Sequence, residues 1–304
     1  MSDRSPYQEV TVHWRPHAGD GSLIPDISLP TLRGNLEPTP DSPLTLFLVG
    51  LGEGRASGEA AVNHWEQDLG LPAAAAWLSY GVLPVCEANL TRIAVEAPQV
   101  IAEHYAGTNP VHLVTNSLGC LGVNAAAEAP ERFSHIASTA PYALANEYRG
   151  HIPRVGSPLL ARAGALGLGL MVRTPLQLWG ERGNPDLRDV AQTALREARS
   201  LGMALRVAAD NALSVKIGRR TADSYARLAV GHPECIVTGS DDHLVNAGHV
   251  QTALGEAAAW QDIDVSIMNG VITEVPGPHA PWCISQGMRQ LSAVGEWLVQ
   301  SRQA

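Results

Sequence analysis

"VHLVTNSLGC", residues 111–120, runs largely apolar and then breaks at a bare serine before a Leu-Gly turn. Val111 to Val114 reads as a buried strand, and the Ala-rich stretch from Gly119 to Ala129, closed by Pro130, reads as a helix. Ser117 therefore stands at a strand-to-helix corner. A sharp turn there holds a small polar side chain clear of the strand end and in front of the N-H groups of the following helix.

The surroundings of this corner fit one architecture. Upstream, short apolar strands at Glu9 to Trp14, Ile27 to Leu32 and Leu44 to Val49 are separated by turns such as "PHAGDGS" and "LEPTPDSP". After Gly54 the texture changes to helix at Ala60 to Leu69, then "YGVLPVC", then helix from Arg92 to His104. Downstream, "HIASTAPYA" at 135–143 and "ECIVTG" at 234–239 read as strands, followed by helix from Val250 to Trp260, an extended stretch at Val271 to Val275, and helix from Ser285 to Gln300. Strands alternating with helices mark a parallel sheet with crossover connections. From Leu144 to Leu228 only helix signals occur, the clearest being Asn184 as N-cap with Pro185 at the first helical position. That block is an expected insertion.

Composition narrows the partners. The chain has 304 residues, 45% hydrophobic and 17% charged, enough for a large folded core. A net charge of -9 disfavours a phosphate backbone or an anionic membrane surface. Lys216 is the single lysine, a skew towards arginine that suggests GC-rich coding and a bacterial source. No basic segment followed by an apolar one opens the chain, and no apolar run reaches about 18 residues, so the expected location is cytoplasmic. Cys86, Cys120, Cys235 and Cys283 are scattered without C-x-x-C pairing and read as packing thiols, giving neither a disulfide framework nor a zinc site.

With its strand and helix, Thr115-Asn116-Ser117-Leu118-Gly119 resembles the nucleophile elbow of the α/β-hydrolase family, small-x-Ser-x-Gly. "CIVTGSDDHLV" is similar to that family's strand ending in Gly-x-x-Asp, and "VPGPHAPW" to its final histidine loop. The resemblance extends from about residue 8 to residue 300 and implies an α/β-hydrolase fold: a mostly parallel eight-stranded sheet with helices on both faces, a core of 1–143 and 229–304, and a helical cap at 144–228. It implies Ser117 as nucleophile, His279 as base and Asp242 as acid, in the family's Ser-Asp-His order. "LFLVGLGEG" matches the strand ending in the oxyanion loop, which implies backbone N-H donors at Leu51 and Leu118. Asp241 and Glu147 stand as alternative acids.

The chain departs from the family at three points. Thr115 and Val49 replace a common glycine and histidine, and Pro278 precedes His279 and biases Gly277 toward an extended backbone. The implied activity is hydrolysis of a moderately apolar ester, thioester or lactone through an acyl-enzyme, with no cofactor and no metal. The expected partner is a small acyl substrate, without nucleic acid or membrane, and the sequence is silent on oligomeric state. Two other readings keep the same residues: carbon-carbon hydrolysis, acyl transfer or acyl elimination, to which the Asn116-Ser117 pair points, and a ligand-binding protein with a vestigial triad. Cys120 in the first turn of the elbow helix, the His13 and His17 pair, His243, and the Arg219-Arg220 pair are read as packing or surface residues. The apolar stretch at 157–172 is read equally as a pocket lining or as helix-to-helix packing.

Overall fold

Leu46 and Leu48 point to one side of a strand and Phe47 and Val49 to the other, and all four are buried. A strand buried on both faces belongs in the middle of a sheet covered by helices on each side. In the computed structural model that strand is β3 (Thr45–Val49). The structure describes residues 8–14, 27–33, 39, 42–50, 53–77, 87–144, 211–242 and 245–302.

Six strands run parallel: β4 (Ala73–Trp77), β3, β5 (Val111–Asn116), β6 (Phe133–Thr139), β7 (Glu234–Gly239) and β8 (Ile272–Val275), in that spatial order. An antiparallel pair, β1 (Gln8–Trp14) and β2 (Ile27–Arg33), adds to the β4 edge. On one face Leu46, Leu48, Leu113, Ile136 and Ile236 join the apolar sides of α2 (Glu87–Ala106), α3 (Val123–Glu128), α4 (Asn211–Leu228) and α5 (Ala247–Trp260). On the other, Phe47, Val49, Val114, Ala137 and Val237 pack against α1 (Gly54–Asn63) and α7 (Ser285–Ser301). A short α6 (Val265–Gly270) precedes β8.

Two elements go beyond the sequence reading. "AAAAW" at 73–77 is strand β4, although alanine favours helix. Pairing with β3 on one side and β2 on the other overrides that propensity, and the small side chains fit fully buried positions in both apolar clusters. The second concerns the expected insert. Its last part, α4, is a core helix: Asn124 Nδ2 donates to Thr221 Oγ1 at 3.1 Å, Ser224 Oγ donates to Asn124 Oδ1 at 3.0 Å, and buried Tyr225 bonds the Ser138 hydroxyl. Ala222, Tyr225, Ala226 and Leu228, within the span read as cap, thus pack in the core cluster; residues 145–210, with the rest of that span and Glu147, lie outside the described residues. Arg220 is the surface residue expected, 3.3 Å from Glu128. Among the described residues no helix is long and apolar enough to cross a membrane.

Adjacent strands bring two histidines together at the opposite end of the sheet from Ser117. His112 and His135 pair in register with ring centroids 4.7 Å apart, and both ring nitrogens of His135 are buried without a partner. Burial, reinforced by the charges of His135 and Arg302, pushes His112 from 6.5 down to about 3; burial also lowers His135. Below pH 6.5 the unfolded chain takes up protons that the fold refuses. Stability from the neutral pair is therefore complete above about pH 6.5 and is lost as pH falls towards 3. Thermal unfolding across pH 4–7 should show this decline, and His135→Phe, which keeps the ring contact and removes the unpartnered nitrogens, should flatten it in part and add about 1–3 kcal/mol near pH 5. An unchanged pH slope in that variant would leave the acid sensitivity with the burial of His112 alone.

Candidate active site

Ser117 follows the last residue of β5 and adopts φ 48, a left-handed backbone that a non-glycine side chain rarely takes. The chain then winds into a 3-10 turn, Ser117–Gly122, which leads into α3. The turn is tight because Gly119 lies against the strand behind it: a Cβ built there would come within 2.3 Å of the Leu48 carbonyl oxygen. Backbone atoms cannot yield as a side-chain tip can, so Gly119→Ala is expected to shift the elbow, cost about 1–3 kcal/mol of stability and slow any reaction at Ser117. Denaturant unfolding beside reactivity checks this, and wild-type behaviour in both would deny the close approach its importance.

Beyond the ends of two later strands come the other predicted side chains. Asp242 follows β7; it is buried, and its Oδ1 accepts the Val245 N-H at 2.8 Å. His279 follows β8 and donates from Nδ1 to Asp242 Oδ2 at 2.9 Å, while its Nε2 faces Ser117 Oγ at 3.0 Å. With Nδ1 carrying the proton toward the carboxylate, Nε2 is left to accept the serine hydroxyl proton. Asp241, the alternative acid, is exposed, and its N-H donates to the Gly277 carbonyl at 3.1 Å.

That bond is part of how the two loops are joined. Gly239, at the end of β7, sits so close to the histidine loop that a Cβ would meet Gly277 O at 2.1 Å. Gln290 Nε2 donates to Pro278 O at 3.2 Å from α7. Gly277 has φ 135, so it is not in the ordinary extended conformation expected of a residue before proline; the turn uses the conformational freedom of glycine instead.

The other departures from the family pattern have local explanations. The Thr115 hydroxyl shares a hydrogen bond with Ser138 Oγ at 2.7 Å, so the β-branched residue is satisfied inside the sheet. Val49 is buried in the apolar cluster against α1 and α7. Cys120 is fully buried, and desolvation pushes its thiol up to about 12, as suits a packing residue despite its place near a helix start. Cys235 is likewise raised to about 12 by burial. Leu118 is the second residue of the 3-10 turn; Leu51, His17, His243 and Cys86 lie outside the described residues.

A carboxyl absent from the sequence reading also belongs to the site. Glu53 is buried just ahead of α1, and its Oε1 accepts the Asn116 amide at 2.6 Å. Asn116 Oδ1 in turn accepts the Thr139 hydroxyl at 2.6 Å, and Thr139 accepts the Trp282 indole N-H at 3.0 Å. Burial raises the Glu53 carboxyl from 4.5 to about 7, against the opposing pull of Ser57, the His279 charge, the Trp282 backbone and Asn116. A glutamate in a glycine-rich turn gives no periodic signal of burial, so nothing in the sequence marks it. Among the described residues no group of three or more His, Cys, Asp and Glu is placed to hold a metal.

No family model and no curated protein sequence matches the chain. Solved structures do. A candidate aryl esterase from Burkholderia cenocepacia superposes with a TM-score of 0.64 at 14% identity, covering 98% of this chain and 100% of the other. The enol-lactonase of Burkholderia xenovorans LB400 gives 0.61 at 14% identity over 93% and 98% of the two chains. The 2-hydroxy-6-oxo-6-phenylhexa-2,4-dienoate hydrolase of Rhodococcus sp. strain RHA1 gives 0.59 at 17% identity over 98% and 100%. These likenesses extend over nearly whole chains and establish the architecture.

Proposed function

We propose that this chain, which has the α/β-hydrolase fold, is a serine hydrolase that cleaves a moderately apolar ester, thioester or lactone through an acyl-enzyme. The observation that carries this reading is the hydrogen-bonded series Asp242, His279, Ser117, anchored on three separate strand ends, with the serine in a left-handed turn. Fold alone does not give function.

The chemistry follows from the geometry. Ser117 Oγ attacks the substrate carbonyl carbon as Nε2 of His279, 3.0 Å away, takes the hydroxyl proton. The imidazolium formed is stabilised by Asp242, whose second oxygen is held by the Val245 N-H and whose burial keeps the carboxylate directed at Nδ1. Negative charge gathers on the former carbonyl oxygen, for which the N-H groups of Leu118 and Leu51 are the proposed donors. His279 then returns the proton to the leaving group, and a water activated by the same nitrogen releases the acyl group. Ser117, His279 and Asp242 are the side chains proposed to carry the bond and proton changes of these steps. The block read as a helical cap, 144–228, is proposed to set substrate choice through its part ahead of α4.

The test is incubation of the purified protein with a fluorophosphonate, which phosphonylates activated serines, followed by peptide mass mapping. A single adduct on Ser117 is the expected result. Folded protein that takes no label, or takes it on another serine, would sink the reading. A burst of alcohol release from an activated ester separates the acyl-enzyme from base-catalysed carbon-carbon chemistry on the same residues.

A further inference from the structure

Gly50 lies between Ser117 and a buried acid. A Cβ built on Gly50 would sit 2.9 Å from Ser117 Cβ and 2.1 Å from Glu53 Oε1, so the carboxyl and the serine approach the same backbone position. Oε1 accepts the Asn116 amide, and Asn116 is the residue immediately before Ser117. The same Asn116 amide lies 3.5 Å from the Ala280 carbonyl, next to His279. Oε2 is buried without a hydrogen-bond partner.

We propose that Glu53 is a positioning residue of the Ser117 site: its carboxyl holds Asn116, and with it the end of β5, while its ionisation places a second negative charge beside the His279 imidazole. The role in turnover rests on the serine-hydrolase reading. Among the described residues, the groups around the carboxyl leave one charged partner. Asn116 from β5, Ser57 from α1 and the Trp282 backbone ahead of α7 are neutral, and His279 is the titratable group whose charge acts on it.

The two protonation states act differently. Asn116 donates to Oε1 in either state, so the brace persists. Only the carboxylate stabilises the imidazolium that forms when Ser117 attacks. Because burial lifts Glu53 to about 7, that added charge appears as pH passes through neutrality. Glutamine at this position keeps an acceptor for Asn116 and imitates the protonated form. The effect of the substitution therefore grows with pH, which loss of a purely structural brace does not produce.

The test uses protein labelled with 13C at glutamate carboxyls, titrated by NMR from pH 5 to 9. The resonance missing from Glu53→Gln identifies Glu53; Glu53→Asp serves if that variant does not fold. The expected midpoint is near 7, and in His279→Gln it climbs, because the partner whose charge favours the carboxylate is gone. Titration in the ordinary carboxylate range, or a midpoint unmoved in His279→Gln, overturns the proposal. In parallel, the ratio of wild-type to Glu53→Gln phosphonylation rates should rise about fivefold from pH 6 to pH 8.5, a coupling of under one pKa unit; a flat ratio also overturns it. Absence of any Ser117 adduct counts against the hydrolase reading alone, because the NMR titrations need no turnover and decide the coupling themselves.

Discussion

Ser117→Ala is expected to remove all phosphonylation, and His279→Gln to slow it together with hydrolysis of an activated ester by about 10³-fold or more. In the proposed mechanism the serine supplies the protein atom that bonds to the substrate, and the histidine the nitrogen 3.0 Å from it that takes its proton. Asp242→Asn is expected to cost about 10³- to 10⁴-fold, because an amide at 2.9 Å from Nδ1 favours the wrong imidazole tautomer. Since the three act as a unit, a Ser117→Ala, His279→Gln double variant should be no slower than Ser117→Ala alone. Losses that multiply would mean independent roles, and full activity in any single variant would remove that residue from the mechanism. Circular dichroism beside each rate separates chemistry from folding.

Trp282→Ala is the second large effect expected. Its side chain is fully buried three residues after His279, edge-on to Phe47 with centroids 5.4 Å apart, and Phe47 meets Trp65 in the same way at 4.9 Å. Truncation opens a cavity inside this aromatic row and should cost about 3–5 kcal/mol, a fall of roughly 10 °C in melting temperature for a chain of this size. It also removes the donor to Thr139, whose own hydroxyl holds Asn116. Trp282→Phe separates the two contributions: the ring still fills most of the space while the hydrogen bond is lost, so stability should fall by only about 1–2 kcal/mol. Reactivity at Ser117 should decline further than this small loss accounts for, because the Thr139-Asn116 brace is loosened. A variant with wild-type melting and wild-type labelling would show that the row neither supports the core nor reaches the site.

Much of the site was legible because its residues lie at places where secondary structure changes. Ser117 stands where an apolar strand meets a small-residue turn, Asp242 three residues beyond Gly239, and His279 in a Pro- and Gly-rich loop. Those breaks are visible without coordinates, and the structure brings the three side chains into hydrogen-bond contact. The choice between Asp242 and Asp241 was not legible. Adjacent residues look alike in sequence, and it is the bond from the Asp241 N-H to Gly277 O, together with the Val245 N-H on Asp242, that turns one carboxylate inward and leaves the other exposed.

The strand alternation and the helix periodicity, both local patterns of apolar spacing, were determined by the sequence itself: "ECIVTG" is β7 to the residue, and the final helix begins at Ser285 as expected. Tertiary structure decided what depends on neighbours distant in the chain. Four alanines became β4 because β3 and β2 supply hydrogen-bond partners on both sides, which outweighs a helix preference of less than about 1 kcal/mol per residue. Helix α4 joined the core because Asn124 and Ser138, about 90 to 100 residues earlier, satisfy Thr221, Ser224 and Tyr225. Glu53 became part of the site because the turn that carries it folds against Asn116, 63 residues away, where water is excluded and a carboxyl changes its charge near neutral pH. Periodicity records which face of an element is apolar; burial of a polar group is set by contacts between elements, and only the folded chain makes those.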